Sequence, residues 1–240
     1  MTSDADPDGR PALRLADIRF AWPGGAGFGL NVDKFALARG ERMLLLGASG
    51  SGKSTLLSLI CGISAPSSGR VEVDGVDIAG LSRRRRDRFR AERIGIVFQQ
   101  FNLLPYATPL DNVLLPLRFA PERRARVGDA RAEALRLASG LGLDEALMAG
   151  GAAGALSVGQ QQRVAIVRAL IGAPALVVAD EPTSALDASA QTAFVETMFT
   201  HVEAAGASLL MVSHDERLAD RFDRAVRIGD IARTQRASAA

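Results

Sequence analysis

The chain has 240 residues, 48% of them hydrophobic and 23% charged, with 29 Lys and Arg against 27 Asp and Glu. That length buries enough apolar surface for one large domain or two small ones, which excludes a disordered chain and a mini-protein stapled by disulfides or metal. One cysteine, Cys61, and two histidines exclude an internal disulfide and a cysteine-based zinc centre and point to a reducing compartment, while a net charge of +2 argues against a nucleic-acid partner.

Residues 1–11 have neither a basic start nor an apolar segment, so they do not read as a signal peptide; with 233–240 they are expected to be flexible tails. Alternating stretches opening at Leu13 and Leu30 predict strands with one wet face, separated by a turn at Pro23-Gly24-Gly25-Ala26-Gly27. Continuous apolar runs at 43–46, 94–98, 176–179 and 209–212 predict strands buried on both faces. Helical patterns at about 54–62, 159–172 and 187–205 lie between them, and strands alternating with helices imply a parallel sheet covered on both sides. From about 105 to 150 the spacing is helical with no strand, opening on Thr108-Pro109-Leu110-Asp111 and continuing through Ala130, Ala134 and Ala138, which predicts an inserted helical subdomain over about 105–160. No apolar stretch approaches the roughly 18 residues of a membrane-spanning helix; the longest, 169–179, is interrupted by Gly172 and Pro174.

Gly47-Ala48-Ser49-Gly50-Ser51-Gly52-Lys53-Ser54 fits G-x-x-x-x-G-K-[ST] between a buried strand and a helix, the context that separates a phosphate loop from an ordinary glycine turn. Its glycines let successive N–H groups and the helix start face a phosphate chain. Lys53 can reach the β- and γ-phosphates and the Ser54 hydroxyl can ligate Mg²⁺; the ATP site extends through Thr55. The strand at 176–179 ends in Asp180-Glu181, where ligands of open parallel sheets bind. Asp180 is placed to hold Mg²⁺ through its water shell and Glu181 to polarise an attacking water, which favours hydrolysis over mere binding.

Leu156-Ser157-Val158-Gly159-Gln160 opens a helix with the S-x-x-Q spacing of a capping box, and a Ser and Gly at a helix start also form a second anion site. Two such sites facing different ways cannot share one nucleotide within a subunit. A dimer in which each covers the other's γ-phosphate satisfies both.

With these motifs in order, the chain resembles the ATP-binding cassette (ABC) ATPases over about residues 12–232. The resemblance implies a P-loop NTPase core with a mostly parallel sheet, an N-terminal antiparallel β subdomain and an inserted helical subdomain. It implies that Gln99 reaches both Mg²⁺ and the membrane partner, that Asp187 in Ser184-Ala185-Leu186-Asp187 communicates across the dimer, and that His214 contacts the γ-phosphate. It makes Trp22 the expected platform for the adenine. Val158 departs from the usual L-S-G-G-Q, with Ser157, Gly159 and Gln160 retained. ATP and Mg²⁺ are the implied cofactors, and the implied partners are separately encoded membrane subunits and a second copy in the ATP-bound state. The implied location is the cytoplasmic face of the membrane.

Val97-Phe98-Gln99-Gln100-Phe101-Asn102-Leu103-Leu104-Pro105 and Asp111-Asn112-Val113 resemble the group serving lipoprotein release, macrolide export and cell division. The stretch around 99–119 reads as helical, with Leu104 and Tyr106 expected to dock a helix of the membrane subunit. The alternatives are the ATPase of an importer, a regulatory ATPase gating an extracytoplasmic enzyme without transport, and a soluble ABC ATPase acting on DNA or the ribosome. The run Arg83-Arg84-Arg85-Arg86-Asp87-Arg88-Phe89-Arg90 reads first as a solvated helix face and second as a contact for anionic lipid.

Overall fold

The computed structural model describes residues 10–22, 28–184 and 186–236; the predicted turn at 23–27, Ala185 and the outer tail residues 1–9 and 237–240 lie outside the described residues. The chain divides into two units, one formed by residues up to 90 and from 208 onward, the other by 91–207.

In the first unit, β1 (Leu13–Ala21), β2 (Phe28–Leu37), β4 (Ser68–Val73), β5 (Val76–Asp77) and β10 (Ala232–Arg236) form an antiparallel sheet in the order β10-β2-β1-β4-β5. Leu13 and Leu15 are buried on β1, then Ile18 and Phe20, so the alternation changes phase. The change falls at Asp17, whose φ is +53°, and the register with β4 slips between Ala16 and Arg19. The expectation of a tail from 233 fails as far as 236, because β10 pairs with β2 from Ala232 opposite Val32 to Arg236 opposite Phe28. Backbone groups do the pairing, so a polar sequence with little apolar content still completes the sheet edge.

The same unit holds a parallel ladder, β8 (Ser208–Ser213), β3 (Arg42–Leu46) and β9 (Arg224–Arg227), with β3 in the middle. Met43, Leu44, Leu45 and every residue from Leu209 to Val212 are buried, as continuous apolar runs require. Helix α1 (Lys53–Ile60) follows the loop after β3, and a short helix, α9 (Ile228–Ile231), follows β9. Helix α2 (Arg83–Arg93) exposes Arg83, Arg84, Arg85 and Arg88, a solvated face.

The second unit pairs β6 (Ile94–Val97) and β7 (Leu176–Asp180) in parallel. Its helices are α3 (Pro109–Leu114), α4 (Pro121–Ala125), α5 (Ala130–Gly140), α6 (Glu145–Ala149), α7 (Val158–Leu170) and α8 (Ala188–Ala204). Thr108 caps α3 by accepting from Asp111 N at 3.0 Å, with Pro109 at the first position as predicted. The helix expected from 99 begins only there. Phe101 and Asn102 have φ of +59° and +47°, and residues 99–107 form turns. Asn112, fully buried, holds them: it accepts from Leu104 N at 2.7 Å and donates to the Leu104 and Thr108 carbonyls. Arg123, 1% exposed, donates to the carbonyls of Ile171, Ala169, Ala91 and Ile94, and burial pulls its pKa down to about 10.

Candidate functional site

In the first unit, Gly47 N still donates to the Ser213 carbonyl at 3.3 Å, so the phosphate loop leaves directly from the parallel ladder. Gly50 and Gly52 take φ of +74° and +100°, which only glycine adopts without strain. A Cβ on Gly47 would come within 2.6 Å of Ile228 Cγ2 and 2.8 Å of Ser51 Oγ. Gly52 is the N-cap of α1 and no side chain caps it, the arrangement in which first-turn amides can meet an anion. Ser51 Oγ is buried without a hydrogen-bond partner, which leaves its hydroxyl able to donate to an oxyanion. Lys53, 5% exposed, folds over the loop and donates Nζ to the carbonyls of Gly47 at 2.6 Å and Ala48 at 2.9 Å. Ser54 is exposed on the first turn.

His214, one residue past β8, lines a cleft of about 520 Å³ together with Gly47, Ala48, Ser51, Arg227, Ile228 and Asp230. Beside it, hydrogen bonds from the Arg217 side chain and backbone hold the Asp215 carboxyl below the usual range. Trp22, 45% exposed, donates Nε1 to Thr55 Oγ1 at 3.4 Å and meets Phe20 edge-on at 5.0 Å between ring centres. Trp22, Thr55, the phosphate loop and His214 are therefore neighbours within the first unit.

In the second unit, Asp180 ends β7 and Glu181 follows it, both half-buried. Glu181 takes φ of +43°, a left-handed conformation rare outside glycine, and its carbonyl accepts from Ser184 N at 3.2 Å. Gln99 lies two residues past the end of β6 and donates Nε2 to Ser184 Oγ at 3.3 Å. Gln99, Asp180 and Glu181 thus gather where the parallel pair β6 and β7 ends. Ser157 caps α7 within a full capping box, followed by Val158, 53% exposed. Asp187 caps α8, accepting from Ala190 N at 2.8 Å. Two buried polar residues of α7 were missed in the sequence. Gln162 donates to the Pro182 carbonyl at 2.8 Å, and Arg168 donates to the carbonyls of Phe101 and Asn102 at 2.5 and 2.7 Å. Their signal was available: both interrupt the otherwise apolar buried face of that helix.

The loop after β3, the acidic end of β7 and the capped signature turn are the parts of an ATP-binding cassette. The chain belongs to the ABC transporter family, whose model matches residues 30–184. It is an ATP-binding, ATP-hydrolysing ABC transporter subunit. It is 42% identical over 228 residues to the lipoprotein-releasing system ATP-binding protein LolD of Anaeromyxobacter dehalogenans, covering 94% of each chain. LolD of Bordetella pertussis is 43% identical over 189 residues, 79% of this chain and 80% of that one. Among solved structures, the dimeric bacterial ABC transporter cassette MJ0796 aligns with a TM-score of 0.73 at 33% identity, covering 90% of this chain and 93% of that one. A second structure of that cassette, in a post-hydrolysis state bound to ADP and Pi, aligns with the same TM-score at 32% identity, covering 95% and 100%. Among the described residues no helix is long and apolar enough to cross a membrane.

Proposed function

We propose that this ATPase energises export, or mechanical work on the far side of the membrane, through separately encoded membrane subunits, with lipoprotein, lipid or drug-type cargo. The supporting observation is the 42% identity with a lipoprotein-releasing ATPase across 94% of both chains. In this reading the chain works at the cytoplasmic face, where Tyr106, 79% exposed after the Gln99 turn, meets a membrane subunit.

Two copies close head to tail on ATP. Trp22 stacks on the adenine, the amides of 47–52 and Lys53 hold the phosphates, and Ser51 donates its unpaired hydroxyl to them. Ser157 and Gly159 of the second copy cover the γ-phosphate from the opposite side, and Asp187 signals across the interface. Glu181 takes the proton of the attacking water, and His214 donates to the γ-phosphate oxygens. Ser54, Gln99 and Asp180 would hold Mg²⁺. They are hard oxygen donors, too few to bind it alone, and among the described residues no cluster of three His, Cys, Asp or Glu side chains could. When bound, Mg²⁺ supplies neutralisation of phosphate charge.

The test is affinity purification of Glu181→Gln with ATP from native membranes. The expected result is an ATP-stabilised dimer carrying a membrane subunit with a large extracytoplasmic domain. Recovery with a many-span permease and solute-binding protein would replace the export reading with import. Hydrolysis at the unmodified rate would remove Glu181 as the base.

A further inference from the structure

Three contacts close a ring within the second unit. Gln99 Nε2 to Ser184 Oγ, at 3.3 Å, joins the turn after β6 to the turn after β7. Gln162, 4% exposed in the first turns of α7, reaches the second of these turns at the Pro182 carbonyl, 2.8 Å away. Arg168, nearly two turns further along the same helix, reaches the first turn at the carbonyls of Phe101 and Asn102. One helix grips both turns, and it is the helix whose N-terminus carries Ser157.

The gripped carbonyls are not ordinary ones. Phe101 and Asn102 have positive φ, and Pro182 follows Glu181, which does too. Non-glycine residues stay in that region only where their surroundings over-determine them. Arg168 supplies this at a cost: its guanidinium is buried against neutral carbonyls, and burial lowers its pKa to about 10. An apolar side chain would fill that position without the cost, but would leave both carbonyls without these donors.

We infer that Gln162 and Arg168 are positioning residues for hydrolysis, making α7 a strut that fixes the Gln99 turn and the Glu181 turn relative to each other. This rests on the reading above that Gln99 and Glu181 act on the nucleotide. Displacing the Gln99 turn would then be felt at Glu181 and at the Ser157 end of the same helix.

The experiment is hydrogen exchange on the full nucleotide-free chain, followed by steady-state ATPase kinetics, for Arg168→Met, Arg168→Lys and Gln162→Leu. Arg168→Met is expected to speed exchange on the order of tenfold both at 99–104, where it bonds two carbonyls, and at the amides of Ser184 and Leu186 in the other turn. Gln162→Leu should do the same from the other end, and remains informative if Arg168→Met does not fold. The kcat should fall about tenfold with the KM for ATP within about twofold, and Arg168→Lys should recover part of both effects. Faster exchange only at the mutated end, or uniformly across the chain, overturns the strut. Coupled exchange with unchanged kcat overturns the role in hydrolysis. Failure of the parent reading shows separately, as unmodified hydrolysis by Glu181→Gln.

Discussion

Ser157 and Gln160 cap each other. The serine hydroxyl accepts from Gln160 N at 3.3 Å while Gln160 Oε1 accepts from Ser157 N at 2.9 Å. The signature turn is therefore fixed by its own residues, without a nucleotide or second subunit. Val158 is the first helical residue and points 53% of its surface to solvent, and a Cβ on Gly159 would meet nothing within 4 Å. The fold thus places no steric demand for glycine at either position, and any demand comes from what approaches this surface.

Ser157→Ala should cost about 1 kcal/mol, the usual value of a lost N-cap, and Val158→Gly no more than about 1 kcal/mol. Urea midpoints of both variants check this. If Val158→Gly costs more than Ser157→Ala, the exposed valine has a partner within the fold that this geometry lacks.

Asn112 makes a sharper case. It is fully buried and satisfies the backbone of Leu104 in both directions. Asn112→Ala leaves the Leu104 N–H without its acceptor, while the Leu104 and Thr108 carbonyls keep the backbone N–H groups of residues 107 and 112, and should cost about 1–3 kcal/mol. A thermal or urea shift below about 1 kcal/mol would mean that water replaces the amide, and that residues 99–107 are not held through this side chain.

These residues mark where the sequence was legible. The runs at 43–46, 176–179 and 209–212 became parallel strands because a strand buried on both faces must be apolar throughout. The phosphate loop and the capping box were legible because their residue types are dictated by local geometry. Strand β10 was not, since pairing with β2 uses backbone groups that every residue has. Residues 99–107 were misread because Phe101, Leu103 and Leu104 imitate helical spacing, while the left-handed backbone at 101 and 102 depends on Arg168 from a distant helix. The arginine excess hid Arg123 and Arg168 among solvated neighbours, and only burial separates them.

Gly69 and Gly40 separate two reasons for glycine. Both have positive φ, +97° and +70°. A Cβ on Gly40 would meet nothing, whereas one on Gly69 would lie 2.6 Å from the Ala16 carbonyl, at the point where β1 changes phase. Gly40→Ala should cost about 1 kcal/mol, for backbone strain alone. Gly69→Ala adds a backbone clash and should cost about 3 kcal/mol or more. Equal urea midpoints would show that β1 relaxes around the methyl group and that the close approach does not require glycine.

Acid stability tests the link between β3 and β9. Asp223 accepts from Arg42 Nε, Nη2 and N at 3.1, 2.6 and 2.8 Å, and the side-chain bonds above all hold its carboxyl below the usual range. A folded-state pKa below the unfolded value of about 3.9 means that the native state binds the proton less readily. The contribution is therefore complete at neutral pH and disappears as pH falls through the folded-state value. Asp223→Asn should lower the urea midpoint at pH 7, and the gap to the unmodified chain should narrow as pH falls below about 4, the ordinary carboxylate range. The variant should retain a smaller acid slope, because Asp215 is shifted in the same direction by Arg217. A gap that stays constant down to pH 2.5 would assign the loss to altered hydrogen-bond geometry rather than to the charge of Asp223.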